Sequence, residues 1–179
     1  MKQVFDQLLK FLQEGIAAIF HFTQLIWTWS VDQITKLMVL SRLTLGVPVV
    51  LVDGFLALTL VMNPGLAFGL LAGIPASWRW VVGLLSLVAL VVLLRVALRI
   101  LPSGGWREQS AIGLIFGGAV GNLIDRTRFG AVVDFVDVYV RDWHWPAFNV
   151  ADSAITVGVL ALALVVLLER SPSPAAPEP

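Results

Sequence analysis

Two long apolar segments, residues 78–101 and 151–168, constrain the fold of this chain more than any other sequence feature. Each approaches or exceeds the roughly 20 mostly apolar residues that a helix needs to cross a membrane. Only 13% of the chain is charged, whereas soluble domains usually carry about 25% charged residues. The sequence therefore predicts a polytopic membrane protein, and its 179 residues suit one compact bundle.

Two weaker segments bring the predicted number of membrane-spanning helices to four. Residues 15–34 are diluted by polar side chains, and residues 109–124 are short but rich in glycine. All seven tryptophans lie at or near the ends of the four segments, as aromatic residues do at the two membrane interfaces. In the third segment Gly113, Gly117 and Gly121 recur every four residues, which predicts the close approach of a neighbouring helix.

The rest of the chain predicts a small sheet, an N-terminal helix and a tail. Residues 37–77 hold strand-like runs at 48–52 and 55–62 with turn residues between them, which predict a small β-sheet at the membrane surface. Residues 1–14 place apolar side chains on one helical face and are predicted to form an amphipathic interfacial helix. The proline-rich residues 169–179 predict a disordered tail.

The predicted fold class is thus an all-α membrane protein, a four-helix transmembrane bundle with a small β-sheet. A single domain would comprise residues 15–168, with residues 125–150 on the same side of the membrane as residues 37–77. An even number of spans places both termini on one side. Six Lys or Arg residues then fall on each side, so the positive-inside rule does not decide the orientation.

Composition argues against several classes of function. The net charge is zero, so nothing indicates a nucleic-acid partner. The chain has no cysteine and only two histidines, which removes thiol chemistry and argues against a zinc peptidase. No metal and no cofactor are expected.

Five of the eight aspartates lie in residues 121–153, between apolar segments. Keeping a carboxylate ionised near hydrocarbon costs much free energy, so an acidic residue at a membrane is a candidate functional residue. Asp134 and Asp152 each follow one apolar segment and precede another, which would bring them together at the mouth of a bundle. Two close carboxylates do not both ionise easily, so one keeps its proton at neutral pH. The charged one can activate water, and the protonated one can polarise a peptide carbonyl and later protonate the leaving amine.

Several of these acidic residues also have simpler interpretations. Asp152 would stabilise the N-terminus of the fourth helix through the helix dipole, and Asp134 would be an ordinary loop residue. Asp125 would form a local ion pair with Arg126 or anchor the chain at the interface.

Other polar residues are interpreted as structural. Asp32 and Lys36 stand at i and i+4 with the acid first, the favourable order for a helical pair. His144 lies between two tryptophans and is interpreted as an interfacial residue. The solvated loop charges are predicted to be Asp137, Arg141 and Asp142.

Five short blocks stand in order along residues 25–168. They are Asp32-Gln33-x-x-Lys36, Asn63-Pro64-Gly65-Leu66-Ala67-Phe68, Gly121-Asn122-Leu123-Ile124-Asp125-Arg126, Val132-Val133-Asp134-Phe135 and Phe148-Asn149-Val150-Ala151-Asp152-Ser153. Together they closely resemble the lipoprotein signal peptidase (signal peptidase II) family. Each block alone is weak, whereas five blocks in the same order are specific.

The resemblance implies an aspartic endopeptidase of the bacterial inner membrane that cuts the signal peptide from a prolipoprotein before a diacylglyceryl-modified cysteine. It places Asp134 and Asp152 on the catalytic pair. The positions that it assigns to substrate binding or support of the site are Asp32, Lys36, Asn63, Gly65, Asn122, Asp125, Arg126, Asn149 and Ala151. The implied fold has four transmembrane helices, a small extracytoplasmic sheet (the cradle) and a short extracytoplasmic helix, with both termini cytoplasmic. The expected partners are the prolipoprotein substrate and membrane phospholipids, and the expected state is a monomer.

Two other hypotheses belong to different classes. A small proton- or ion-coupled carrier would relay charge through membrane carboxylates, but the acids cluster at one face and no inverted repeat is visible. A non-enzymatic assembly factor would use the glycines that recur every four residues in the third segment to pack against a partner. Replacing Asp134 or Asp152 with Asn distinguishes both hypotheses from a peptidase. A carrier would lose proton or ion flux while cleavage of the substrate stays intact, and an assembly factor would tolerate the change.

Overall fold

The computed structural model describes residues 2–66, 70–71, 73, 75–100 and 104–169, and in this part the chain forms four α-helices and one antiparallel sheet. The helices are α1 (Lys2–Arg42), α2 (Arg79–Ile100), α3 (Trp106–Phe129) and α4 (Val150–Glu169). The strands are β1 (Pro48–Val52), β2 (Leu56–Asn63), β3 (Val132–Val140) and β4 (Trp143–His144), paired in the order β1-β2-β3-β4. A 3₁₀ turn at Ala76–Trp78 leads into α2.

Helix α1 is one continuous helix of 41 residues. It includes residues 2–14, predicted to form a separate interfacial helix, and residues 15–34, predicted to form the first span. The segment contains no proline and only one glycine, so nothing in it strongly breaks helical geometry. The helix also continues to Arg42, beyond the predicted end at residue 34. The placement of residues 1–14 on a membrane surface stays a prediction.

Two helical stretches in the described part, Ala76–Ile100 and Val150–Leu168, are long and apolar enough to cross a membrane. Only 11% and 17% of their most apolar windows are buried within the protein. A helix that is apolar all round needs an apolar environment, so these exposed faces suit lipid. Both stretches match predicted spans. The predicted spans 15–34 and 109–124 lie inside α1 and α3, and their crossing of the membrane stays a prediction.

Some predicted segments extend past the described residues. The parts of these segments that lie outside are residue 1 of the predicted N-terminal helix, residues 67–69, 72 and 74 of the predicted segment 37–77, residue 101 of the second predicted span and residues 170–179 of the predicted tail. Ala67 and Phe68 of the second sequence block therefore also lie outside the described residues.

Helix α3 lies at the centre of the helical part and contacts each of the other three helices. Two glycines of the predicted four-residue repeat, Gly117 and Gly121, and the adjacent Gly118 allow this close packing. A Cβ atom on Gly117 would come within 2.7 Å of the Thr28 Cβ on α1, and one on Gly118 within 2.8 Å of the Ile155 Cγ1 on α4. A Cβ on Gly121 would overlap the carboxylate of Asp32.

Gly121→Ala is therefore expected to destabilise the protein by about 1–3 kcal/mol, the usual range for overpacking. The Asp32 carboxylate cannot easily move aside, because Lys36 and the Ala151 backbone N–H hold it from both sides. Gly15→Ala is the matched control, since a Cβ there meets no atom within 4 Å. Thermal unfolding in detergent measures both, and equal stability of the two variants would contradict the packing assigned to Gly121.

The sheet packs against the C-terminal part of α1 through a small core. Val39 of α1 lies in a buried cluster with Leu60 of β2 and with Val133 and Phe135 of β3. At the end of α3, Gly130 adopts a left-handed conformation with φ 68° and donates its N–H to the Arg126 carbonyl. This helix end turns the chain directly into β3.

The sequence predicted β1 and β2 closely but not β3 and β4. Residues 125–150, predicted as an extracytoplasmic segment and given no strand from the sequence, contain both of the missed strands. The small sheet itself is confirmed, with four strands among the described residues.

Candidate active site

The carboxylates of Asp134 and Asp152 lie on the two sides of one asparagine, Asn149. The Asn149 Nδ2 donates to Asp134 Oδ1 at 2.7 Å, and the Asn149 backbone N–H donates to Asp152 Oδ2 at 3.2 Å. Asp134 belongs to β3 and is only 1% exposed, whereas Asp152 belongs to the first turn of α4 and is half-buried. The structure thus brings the two predicted carboxylates together.

Asn149 and Asp152 also cap helix α4 reciprocally. The Asp152 backbone N–H donates to Asn149 Oδ1 at 2.9 Å, while the Asp152 carboxylate accepts from the Asn149 backbone N–H. This is a capping box, in which the residue before the helix and the third helical residue satisfy each other's backbone groups. The capping role considered for Asp152 is therefore real, and it fixes the carboxylate next to Asp134. Backbone hydrogen bonds between Phe148 and Val136 hold the preceding segment against β3.

Two further asparagines complete the hydrogen bonds to the pair. Asn63, at the end of β2, donates its Nδ2 to Asp134 Oδ2 at 2.9 Å. Asn122, on α3, donates its Nδ2 to Asp152 Oδ1 at 2.8 Å. Each oxygen of both carboxylates therefore accepts a hydrogen bond, and four separate elements of the fold fix their positions.

A buried lysine, Lys36, organises the layer beneath the pair. Its Nζ lies 2.9 Å from Asp32 Oδ2, 2.8 Å from Asp125 Oδ2 and 3.0 Å from Asn122 Oδ1. The three acceptors match the three N–H donors of an ammonium group. The side chains of Lys36, Asp32 and Asp125 are 2%, 0% and 1% exposed. Because the ammonium binds the oxygen of the Asn122 amide, the Asn122 nitrogen must face Asp152.

The two acids that bind Lys36 also hold the backbone beside the pair. Asp32 Oδ1 accepts from the backbone N–H of Ala151 at 3.0 Å, and Asp125 Oδ2 accepts from the backbone N–H of Val133 at 3.1 Å. Ala151 and Val133 immediately precede Asp152 and Asp134. The buried ion cluster thus positions each candidate carboxylate through its neighbour in the chain.

The interpretation of Asp125 as a local partner of Arg126 was wrong, because Asp125 is buried against Lys36. Arg126 instead donates Nη2 to the Gly65 carbonyl at 2.7 Å and Nη1 to the Asn122 carbonyl at 3.3 Å. The Gly65 N–H in turn donates to Asn63 Oδ1 at 3.0 Å, which leaves the Asn63 nitrogen facing Asp134. The guanidinium therefore fixes the turn that orients Asn63.

Gln33 also belongs to this cluster, although it was not among the site residues predicted from the sequence. Its Nε2 lies 3.2 Å from Asp32 Oδ2 and 3.3 Å from Asp125 Oδ1, so it bridges the two acids. Its place in the block Asp32-Gln33-x-x-Lys36 was the only available signal.

Asp137 was predicted to be a solvated loop charge, and this was wrong. It belongs to β3, is only 8% exposed, and accepts hydrogen bonds from Thr59 and His144. Asp142 and Arg141 are exposed, as predicted. Alternate residues of a strand point to opposite faces, so Asp137 lies on the other face of β3 from Asp134.

The environment of the pair favours one shared proton. Burial, and to a smaller extent the charge of Asp152, raise the pKa of Asp134 to about 7. Hydrogen bonds from Asn63 and Asn149 lower it but do not outweigh these two effects. Near neutral pH the site can therefore hold one protonated and one ionised carboxyl group, which supplies an acid and a base together.

A cavity of about 400 Å³ opens beside this site, between α2 and α3. Arg126 and Pro64 line it near the carboxylates, and Leu84 and Leu87 of α2 line its apolar part. Within the described residues, no group of three or more His, Asp or Glu side chains is arranged to hold a metal ion. The absence of a cofactor stays a prediction.

The fold and the site define a class of protein, a helical membrane enzyme with a close pair of aspartates of the kind that aspartic peptidases use. Comparison with known proteins identifies the family. The family model described as Signal peptidase (SPase) II matches residues 24–168, and the chain belongs to this family. It is therefore a peptidase and an integral membrane protein.

Relatives and solved structures agree with this assignment. A lipoprotein signal peptidase of Desulforapulum autotrophicum is 46% identical over 150 residues, which cover 80% of this chain and 88% of that protein. One from Geobacter sulfurreducens is 44% identical over 139 residues, covering 78% and 86%. A solved bacterial membrane enzyme matches with a TM-score of 0.66 at 29% identity, covering 92% of this chain and 95% of that one. A second matches with a TM-score of 0.61 at 30% identity, covering 88% and 95%.

Proposed function

We propose that this protein removes the signal peptide from diacylglyceryl-modified prolipoproteins, by cleaving the peptide bond before the lipid-modified cysteine. Its family supports this activity over a proton-coupled carrier. The single observation that carries the mechanism is the contact of Asn149 with both Asp134 and Asp152, which holds two carboxyl groups at one point.

Asp152 is proposed as the base and Asp134 as the acid. Ionised Asp152 takes a proton from water as the water oxygen bonds to the carbonyl carbon, and Asp134 gives its proton to the carbonyl oxygen. The resulting gem-diol then collapses and the carbon–nitrogen bond breaks. The leaving nitrogen takes the proton from Asp152, and a hydroxyl proton returns to Asp134. Both side chains end in their starting states, so the cycle needs no other reactant than water.

The supporting residues have separate proposed roles in this cycle. Asn63, Asn122 and Asn149 orient the two carboxyl groups through the hydrogen bonds to their oxygens. Arg126, whose buried Nε has no hydrogen-bond partner among the described residues, lies at the cavity wall where a substrate carbonyl can approach. The positions that hold the orienting residues in turn are Asp32, Lys36, Gly65, Asp125 and Ala151.

The pH dependence of cleavage follows from the raised pKa of Asp134. Below about pH 7 this carboxyl group keeps its proton, and above it the pair loses the shared proton and with it the general acid. We therefore expect kcat/KM to fall as the pH rises above about 7, and to fall again in acid once the pair binds a second proton. The two apparent pKa values belong to the pair. A kcat/KM that keeps rising well above pH 7 would contradict a shared proton.

The cavity between α2 and α3 is proposed to receive an acyl chain of the substrate. Its apolar wall and its position next to Arg126 support this. Burial of each methylene contributes about 0.8 kcal/mol, so two methylenes already correspond to roughly a tenfold preference. We expect the diacylglyceryl-modified precursor to be cleaved with a kcat/KM at least that much higher than the unmodified precursor. Equal kcat/KM values for the two precursors, measured in the same detergent, would remove this proposal.

The proposed topology has four spans in the bacterial inner membrane, both termini in the cytoplasm and the active site toward the extracytoplasmic face. Helix α4 begins after the last strand of the sheet, and the first residues of α2 line one cavity with Pro64, which follows β2. This supports a placement of the sheet at one shared end of the two candidate spans. Exposed tryptophans stand at this end, as expected at an interface. They are Trp78, Trp80, Trp143 and Trp145. A short extracytoplasmic helix, a monomeric state and surrounding phospholipids complete the proposal.

A further inference from the structure

A second cavity, of about 330 Å³, opens on the sheet near His144. One acid, Asp137, is among the described residues that line it. Strand alternation places Asp137 on the opposite face of β3 from Asp134, so this cleft is separate from the proposed active site. Its polar lining residues are Thr59, Asp137, Tyr139 and His144. Neither lysine nor arginine is among the described residues that line it.

The polar groups of this cleft form a connected set around Asp137. The Thr59 hydroxyl donates to Asp137 Oδ2 at 2.9 Å, and His144 Nδ1 lies 2.8 Å from Asp137 Oδ1. The carboxylate side chain is 12% exposed and the histidine 53%. The His144 ring stacks on Tyr139, with 5.2 Å between ring centroids and 15° between the planes.

Hydrogen-bond chemistry then determines what the cleft can bind. A carboxylate only accepts hydrogen bonds, so His144 Nδ1 must carry the proton, and in the neutral ring Nε2 is left as an acceptor. Asp137 has further lone pairs and a negative charge. The cleft therefore combines a negative charge, hydrogen-bond acceptors and an aromatic ring. This combination suits a cation that carries N–H donors, a primary ammonium group.

The surroundings of the cleft indicate where such an ammonium group comes from. Strand β1 is exposed along its whole length although all its residues are apolar, and Val50 of β1 lines the cleft itself. Trp143 and Trp145 next to His144 are 59% and 44% exposed. A contiguous exposed apolar surface marks an interaction site. In the topology proposed above the sheet stands at the membrane interface, so a lipid fits this apolar surface better than a soluble ligand.

We propose that the cleft binds the headgroup of an amine-bearing phospholipid, phosphatidylethanolamine, with its ammonium between Asp137 and His144. The proposal rests on the membrane placement given under Proposed function, but not on the peptidase activity. It gives the sheet a lipid site in addition to the substrate site, on the face that the catalytic pair does not use.

The test compares lipids that differ only in the ammonium group. Purified protein is placed in nanodiscs that contain phosphatidylglycerol with either phosphatidylethanolamine or phosphatidylcholine of the same acyl chains, and retained lipid is measured by native mass spectrometry. Phosphatidylcholine keeps the charge but has no N–H donors. We expect the wild type to retain phosphatidylethanolamine about tenfold better, as one charge-assisted hydrogen bond would give.

Variants separate ligand binding from folding of the sheet. In His144→Asn the side-chain amide can still donate to Asp137, but the nitrogen that faces the ligand is gone, so the tenfold preference should disappear. Asp137→Asn should lose it as well. Asp142→Asn, at an exposed acid in the adjoining turn, is the matched control and should keep the preference. A wild type that retains both lipids equally, or a His144→Asn variant with wild-type preference, would overturn the proposal.

A second readout uses unmutated protein. Diethyl pyrocarbonate modifies free imidazole nitrogens, and vesicles with phosphatidylethanolamine should slow modification of His144 relative to vesicles with phosphatidylcholine. Protection by a lipid-free peptide amine instead would assign the cleft to a polypeptide and overturn the lipid assignment. Asp134→Asn should show normal lipid protection without cleavage, so failure of the lipid site and failure of the peptidase mechanism are distinguishable.

Discussion

Asp134→Asn is expected to lower the rate of cleavage by roughly 10⁴-fold, the upper end of what general acid–base catalysis contributes. Asparagine cannot donate the proton that the proposed cycle requires from this position. Its amide nitrogen would also face either Asn63 or Asn149, both of which donate to the present carboxyl group. The rate is measured under single-turnover conditions in detergent, with diacylglyceryl-modified prolipoprotein as the substrate.

The matched control for Asp134→Asn is Asp142→Asn. Both changes remove one carboxyl group from the segment between α3 and α4, but Asp142 is exposed in the turn between β3 and β4. The control should cleave at the wild-type rate. Circular dichroism and thermal unfolding of both variants show whether the fold is kept. Cleavage by folded Asp134→Asn at a rate near that of the wild type would exclude Asp134 as an acid in the reaction.

Lys36→Met is expected to lower the free energy of unfolding by about 3–5 kcal/mol, the usual effect of removing one partner from a buried ion pair. Methionine has a similar length but leaves the carboxylates of Asp32 and Asp125 uncompensated at 0% and 1% exposure. The oxygen of Asn122 also loses one of its two donors and keeps the one from Asn149. Arg42→Met is the control, because Arg42 is an exposed cation at the end of the same helix. Thermal unfolding in detergent measures both.

A triple variant separates the two roles proposed for Lys36. Adding Asp32→Asn and Asp125→Asn to Lys36→Met removes the uncompensated charges, so part of the lost stability should return. Cleavage should remain slow, because the Asn122 oxygen then keeps only the donor from Asn149, and its amide is held less firmly toward Asp152. A triple variant that recovers full activity along with stability would show that Lys36 has no positioning role.

The parts of the fold that the sequence predicted well carry local signals. The apolar windows of α2 and α4 and the strand runs at 48–52 and 55–62 depend on neighbouring residues only. Strand β3 was missed because Asp134 and Asp137 interrupt an otherwise apolar run and suggest a loop. Its pairing with β2 stabilises it, and strand propensity depends strongly on such context. Strand β4 has only two residues and no periodicity to detect.

In the candidate active site, too, only the contacts between residues close in the sequence could be predicted. The Asp32–Lys36 pair was visible from its i, i+4 spacing, but the ion pair of Lys36 with Asp125 joins α1 to α3 and depends on how these helices pack. The family resemblance selected Asp125 without explaining it. Asp137 and His144 were set aside as a loop charge and an interfacial ring, because their contact exists only once β3 and β4 pair.

The most direct measurement of the central claim is cleavage of a diacylglyceryl-modified prolipoprotein by wild type and by Asp152→Asn, with the product's N-terminus identified by mass spectrometry. We expect a wild-type product that begins at the lipid-modified cysteine and almost no product from a folded Asp152→Asn variant. A folded wild type that does not cleave this substrate, or an Asp152→Asn variant that cleaves it at the wild-type rate, would contradict that claim.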